Sequence, residues 1–140
     1  IELFRIVTQM EHVCTEQNGI GLSACQVGLP LKLFIIQRGI KYEYYLNCEY
    51  TGIGGKGKSI EGCLSLKNED GSLRHLELDR YSKVKISGKQ LKVSDSPSLI
   101  IEDVDRIETD LYAIVFQHEI DHQFQREKMI DQIGKEIEII

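Results

Sequence analysis

No apolar run in this chain approaches the roughly 20 residues that a membrane-crossing helix needs, and no basic-then-apolar leader stands at its start. These two absences lead to the expectation of a cytoplasmic protein with no membrane partner. An excess of basic charge is also missing. With 17 Lys and Arg against 22 Asp and Glu, the net charge is -5, which argues against nucleic acid as a partner, because phosphate binding needs a concentrated basic face. Cysteine occurs at Cys14, Cys25, Cys48 and Cys63 but never as CxxC, which excludes a zinc ribbon and a thioredoxin-type motif. In a chain able to fold around its own core these side chains read as thiols rather than disulfides. No repeat, low-complexity tract or linker divides the 140 residues, of which 41% are hydrophobic. One domain over residues 1–140 is therefore expected, burying about two-thirds of its unfolded surface.

What is present starts with an amphipathic pattern. Leu3, Phe4, Ile6, Val7, Met10, Val13 and Cys14 recur at the three-and-four spacing of a helix over residues 1–16, with Asn18 and Gly19 at its end. From Leu31 the texture changes: LKLFIIQ and KYEYYLN read as strands joined by a turn at Arg38 and Gly39. The glycine-rich stretch TGIGGKGK, residues 51–58, lacks the GK[ST] ending directly before a helix that a phosphate loop requires, and reads as a bulged or flexible strand connection. NEDGS, residues 68–72, marks a turn, after which LRHLEL, YSKVKIS and KQLKVS read as successive strands. A last long helix is expected from about Ile107, with Ile107, Leu111, Ile114 and Val115 forming an apolar stripe that continues to His118 and His122. The fold class is therefore α+β: an N-terminal helix, and short antiparallel strands packed around a central helix that carries the two histidines.

The run QHEIDH, Gln117 to His122, holds the chemistry. Two histidines four apart on a helix can direct a ring nitrogen each to one ion, and Glu119 beside the first can reach solvent bound to that ion. Burying two imidazoles without a partner would be costly, and a metal removes that cost. A catalytic site needs a third protein ligand and an open position for water. The extended pattern with a third histidine fails here, since Gln125 stands at its glycine and Lys128 at its last histidine. Cys63 in EGCLS is the better candidate, although spacing alone cannot select it from the four cysteines.

Three stretches in order, GIGLSACQ at Gly19 to Gln26, EGCLS at Glu61 to Ser65, and QHEIDH, resemble the signature motifs of the peptide deformylases. The second and third match in full. The first departs from the usual G-Φ-G-L-A-A-x-Q, with Ser23 in place of an alanine and Cys25 at the variable position before Gln26. The resemblance implies that Cys63, His118 and His122 hold one divalent metal ion per chain. Fe(II) is the implied physiological ion, with Zn, Ni or Co able to occupy the same site. It implies a hydrolase that removes the formyl group from the N-terminal formyl-methionine of new proteins, with Glu119 as general acid and base. The side-chain amide of Gln26 and the backbone N–H of Leu64 would stabilise the oxyanion.

On the same resemblance, Ile20, Leu111, Ile114 and Val115 would form the pocket for the methionine side chain. Main-chain groups near Gly21, Gly62 and Leu64 would bond an extended peptide, as in strand addition. Glu61 and Arg80 match an acidic and a basic position that pair behind the metal-binding strand. The expected partner is an N-formyl-methionyl peptide or nascent chain. Family members often carry a further C-terminal helix, whereas only 18 residues follow His122 here. Any contact with the ribosome is thus expected to be transient, without a long docking helix. Compact members without that extension are known among phage-encoded deformylases, so a bacterial or a phage source fits. Two other functions compete. An HExxH endopeptidase would leave EGCLS and Gln26 unexplained, and a metal-stabilised binding protein would have to have lost activity with every motif intact.

Overall fold

The computed structural model describes residues 2–67, 70, 73–93, 98–125 and 134–137. Helix α1, Glu2–Glu16, buries Val7, Met10 and Cys14, one turn apart on one face, as the amphipathic spacing requires. It ends where Asn18 takes a left-handed φ of 55° and the Gly19 N–H closes on the Cys14 carbonyl at 2.9 Å. Strand β1, Gly21–Ser23, follows at once, and then a 3₁₀ turn, Ala24–Val27.

Strands β2, Leu33–Arg38, and β3, Lys41–Gly52, form the expected hairpin, with Arg38 opposite Lys41 at the turn. Leu33, Phe34, Ile35 and Ile36 are all buried, so β2 is covered on both faces. The alternation of a strand divides them. Leu33 and Ile35 join Leu22, Ala24 and Leu91 in a cluster with Val7, Met10 and Cys14 of α1. Phe34 and Ile36 turn to the other face and pack with Tyr45, Ile86, Val115, Phe116 and Ile120. There Phe116 meets Phe34 edge-on at 5.7 Å and Tyr45 at 4.8 Å between ring centroids.

The next strands are β4, Lys56–Lys67, β5, Leu73–Tyr81, β6, Lys83–Val93, and β7, Leu99–Thr109, followed by helix α2, Asp110–Gln125, and strand β8, Gly134–Ile137. Among the described residues they complete an antiparallel five-stranded sheet of order β1-β2-β3-β6-β7 and a three-stranded sheet of order β4-β5-β8. Helix α2 lies against the face of the larger sheet opposite α1 and touches β5 of the smaller one. This is the expected α+β architecture with a central histidine-bearing helix. No helix among the described residues is long and apolar enough to cross a membrane.

Three local expectations change. The last helix begins at Asp110, and Ile107 belongs to β7, where it pairs with Lys85 and is 55% exposed. Ile107 is four residues before Leu111, so it falls in phase with the helix in sequence. The ladder to β6 claims it, supported on the exposed face by the ion pairs Lys85–Asp105, Lys89–Asp103 and Lys92–Glu102. Second, β3, β4, β6 and β7 run to 11 or 12 residues, and YSKVKIS and KQLKVS, expected as separate strands, are joined through Gly88 in the single strand β6. Most of their exposed positions are polar, which shortens them when only the apolar alternation is read. Third, strand structure consumes most of TGIGGKGK, leaving residues 53–55 as the connection. The expected turn over residues 68–72 lies outside the described residues except for Asp70.

Candidate active site

Helix α2 is buried on more than one side, because it has a sheet against each of two faces: Ala113, Val115, Phe116, Gln117, Glu119, Ile120 and His122 are all covered. The expected single stripe is therefore only part of its surface, and Leu111 is 54% exposed. Gln117 shows how the helix grips the smaller sheet. Its Oε1 accepts from the Tyr81 N–H at 2.9 Å and its Nε2 donates to the Tyr81 carbonyl at 2.8 Å, so the amide replaces a strand partner at the end of β5.

His118 and His122, one turn apart, bring their Nε2 atoms to 3.2 Å. Two ligand nitrogens with bonds of about 2.0–2.1 Å to one tetrahedral ion would stand about 3.3 Å apart, so the pair fits a shared ion. His118 Nδ1 lies 2.7 Å from Glu61 Oε1. Burial raises the Glu61 carboxyl pKa, but hydrogen bonds from Arg80 and His118 outweigh it and bring it down from 4.5 to about 2. An ionised carboxylate can only accept, which puts the ring proton of His118 on Nδ1 and makes Nε2 the atom that could ligate an ion. The Glu61 carboxylate is itself held by Arg80, with Nε at 2.8 Å and Nη2 at 2.9 Å. Arg80 also donates to Asp121, which accepts from the Tyr50 hydroxyl at 2.9 Å. The expected Glu61–Arg80 pair is thus a buried junction between β4, β5 and α2.

The third candidate ligand, Cys63, and the oxyanion candidate Leu64 fall within β4, and their side chains lie outside the described residues. The ladder from β4 to β5 shifts register between Gly62 and Lys67, on the stretch that carries both. Among the described residues no cluster of three His, Cys, Asp or Glu side chains has the geometry to hold an ion. A third ligand for a site on α2 would have to come from outside those side chains, and Cys63 is the candidate the motif resemblance supplies.

Glu119 is buried at 3% exposure and accepts from the Ser23 hydroxyl at 2.9 Å through Oε1. Gly21 stands beside its other oxygen, where an added Cβ would meet Oε2 at 2.7 Å. Gln26, in the 3₁₀ turn, takes the Ser23 N–H on its Oε1 at 2.8 Å. A backbone N–H only donates, so this bond fixes the amide: its oxygen faces β1 and its nitrogen is the opposite end.

These groups open on one cavity of about 350 Å³. Its wall includes all six expected substrate-contacting residues, Ile20, Gly21, Gly62, Leu111, Ile114 and Val115, together with Gln26, Glu61, His118 and Glu119. It also includes Ser59, Ile60 and His75, which the sequence reading did not single out. Ile60 precedes the EGCLS motif by one residue, so its apolar side chain at 57% exposure was the available signal. His75 could be found only through its pairing with Gly62 across the β4–β5 ladder. The cavity lies between two outer strands, β1 of the larger sheet and β4 of the smaller, with α2 forming its floor. Ile20, Ile60 and Leu111 are large apolar side chains left exposed there, as a pocket for an apolar group requires.

Comparison with known proteins places this arrangement. Residues 2–135 match the sequence profile of the family described as polypeptide deformylase. The chain is 31% identical over 127 residues to the peptide deformylase of Aquifex aeolicus, covering 86% of this chain and 68% of that protein. It is 29% identical over 120 residues to the peptide deformylase of Heliobacterium modesticaldum, covering 86% and 71%. Among solved structures it resembles the peptide deformylase of Thermotoga maritima at a TM-score of 0.69 and 26% identity, over 87% of this chain and 75% of that one.

Proposed function

The chain belongs to the polypeptide deformylase family of enzymes, and on that premise we propose that it hydrolyses the formyl group from the N-terminal formyl-methionine of nascent peptides, releasing formate. The observation that carries this reading is the meeting of Glu119, His118 and Gln26 on one cavity whose wall also holds Ile20, Ile60, Leu111, Ile114 and Val115. Cys63, His118 and His122 would hold one divalent ion, Fe(II) in the cell, with Zn, Ni or Co as replacements. When bound, such an ion supplies Lewis acidity that makes water acidic near neutral pH.

The chain's own residues do the rest. The methionine side chain enters between Ile20, Ile60, Leu111, Ile114 and Val115, and the peptide lies extended between β1 and β4. Main-chain groups near Gly21, Gly62 and Leu64 bond it as a strand would. Glu119 takes a proton from the attacking water, and the carbonyl oxygen gathers negative charge as the formyl carbon becomes tetrahedral. The Gln26 amide nitrogen, aimed by the Ser23 N–H, and the Leu64 N–H donate to that oxygen. Glu119 then returns its proton to the amine as the C–N bond breaks. His118 stays in one tautomer because Glu61 holds its Nδ1 proton.

The test is formate release from a formyl-Met peptide by protein loaded with Fe(II) anaerobically, or with Ni(II). Casein cleavage without formate would instead mark an endopeptidase, and neither signal would mark a binding protein. Cys63→Ala should lose the ion, read by metal analysis; full metal content in that variant would remove Cys63 from the ligand set.

A further inference from the structure

We infer that the Ser23 hydroxyl is a positioning group for Glu119: it anchors Oε1 and thereby assigns the proton transfer to Oε2. The inference rests on the proposed role of Glu119 as the base. Ser23 is fully buried at 0% exposure, and its Oγ stands 2.9 Å from Glu119 Oε1 and 2.9 Å from the Glu119 main-chain oxygen. The hydroxyl has one proton, and a glutamate acting as base is an ionised carboxylate, a stronger acceptor than a carbonyl, so the bond goes to Oε1. That point is rigid, because Ser23 pairs with Phe34 in the β1–β2 ladder and Phe34 is itself core.

Gly21 lies two residues earlier on the same strand, so both residues address the same face. The missing Cβ of Gly21 leaves room for Glu119 Oε2. One strand therefore meets both carboxylate oxygens in different ways. Ser23 holds Oε1 by a hydrogen bond, and the bare Gly21 backbone leaves space beside Oε2, both residues lining the cavity. A glutamate side chain has several rotamers to choose among, and a base must sit within hydrogen-bond reach of its water. The anchor removes the alternatives.

Ser23 also orients Gln26, but through its backbone N–H. Any residue except proline offers that donor, whereas only the hydroxyl reaches Glu119. Ser23→Ala deletes the contact to Glu119 and keeps the bond from the Ser23 N–H to the Gln26 side chain, while the loss of the hydroxyl from the capping box of the 3₁₀ turn is read separately by the thermal midpoint. The hydroxyl is also the atom by which this chain departs from the alanine of the motif it resembles.

The experiment compares kcat, KM, metal content and thermal midpoint for wild type, Ser23→Ala, Glu119→Ala and the double variant on a formyl-Met peptide. Ser23→Ala is expected to lower kcat about tenfold with KM and metal content unchanged, the signature of a misplaced group that acts on the reacting atoms. The double variant should turn over at the residual rate of Glu119→Ala alone. Full kcat in Ser23→Ala beside an inactive Glu119→Ala would overturn the positioning role and leave the base assignment standing. A fully active Glu119→Ala would overturn the base assignment itself. If Ser23→Ala loses metal, or still slows the Glu119→Ala protein tenfold, the hydroxyl serves packing and the inference fails.

Discussion

Replacing Arg80 with methionine removes the cation from a buried line of polar groups running from Tyr50 through Asp121 and Arg80 to Glu61 and His118. Methionine fills similar space but leaves the Glu61 and Asp121 carboxylates without their guanidinium, and their side chains are only 7% and 13% exposed. Two estimates of the cost converge. Arg80 and His118 together bring the Glu61 carboxyl from 4.5 to about 2 against burial, about 3 kcal/mol of folding stability at neutral pH, of which the guanidinium supplies the larger share. Removing one partner of a buried ion pair costs about 3–5 kcal/mol. For a chain of this size, about 3 kcal/mol lowers the thermal midpoint by roughly 10 °C.

The pH dependence has a definite sign. Because the folded carboxyl is depressed, its stabilisation is complete above the unfolded value of 4.5 and is lost as pH falls toward about 2. The gap between wild type and Arg80→Met is therefore expected to be widest near neutrality and to narrow in acid. Thermal unfolding followed by circular dichroism at stepped pH, on proteins of equal metal content, measures both quantities. A midpoint within about 2 °C of wild type at neutral pH would refute the reasoning, since that is what an exposed ion pair contributes. A gap that widens in acid would refute it too.

Gly21→Ala should keep its metal and lose at least about tenfold in kcat, because the new Cβ and Glu119 Oε2 cannot both keep their places at 2.7 Å; wild-type turnover would show that the carboxylate works from elsewhere. Burial pushes the thiols of Cys14 and Cys48 up, so iodoacetamide at mildly alkaline pH should leave both unmodified in the folded protein. Peptide mass spectrometry reads this directly, and equal labelling of folded and urea-unfolded protein would count against their burial.

Much of the fold was legible because its periodicities are strong. The spacing of Val7, Met10 and Cys14 gives α1, and the run LFII gives a strand buried on both faces. Strand β7 was hidden. Its inward positions are Val104 and Glu108 rather than a row of large apolar residues, and Ile107 falls in step with the helix that follows. Glu108 is buried because Arg38 pairs with it at 3.0 Å from a strand 70 residues away, a partnership no local window contains. At the site, HExxH spacing is enough to bring the two imidazoles together. The contacts that orient the site are long-range: Glu61 to His118, Gln117 to Tyr81, and Ser23 to Glu119. Ser23 was visible only as a departure from a motif. Its hydroxyl acquires meaning once β1 lies against α2.

That last contact spans 96 residues, and the contact from Glu61 to His118 spans 57. The proposed base and both imidazoles wait for α2, the last helix of the described fold to be synthesised. Chains grow from the N-terminus, so α1, the β2–β3 hairpin and the β4–β5 pair can form while residues 118–122 are still unmade. The long loops that α2 closes make its docking the entropically demanding step. A partly translated chain would therefore hold one wall of the cavity with no imidazole and no base behind it. In a cell-free translation timed against formate release, activity should follow the completion of chains rather than their initiation.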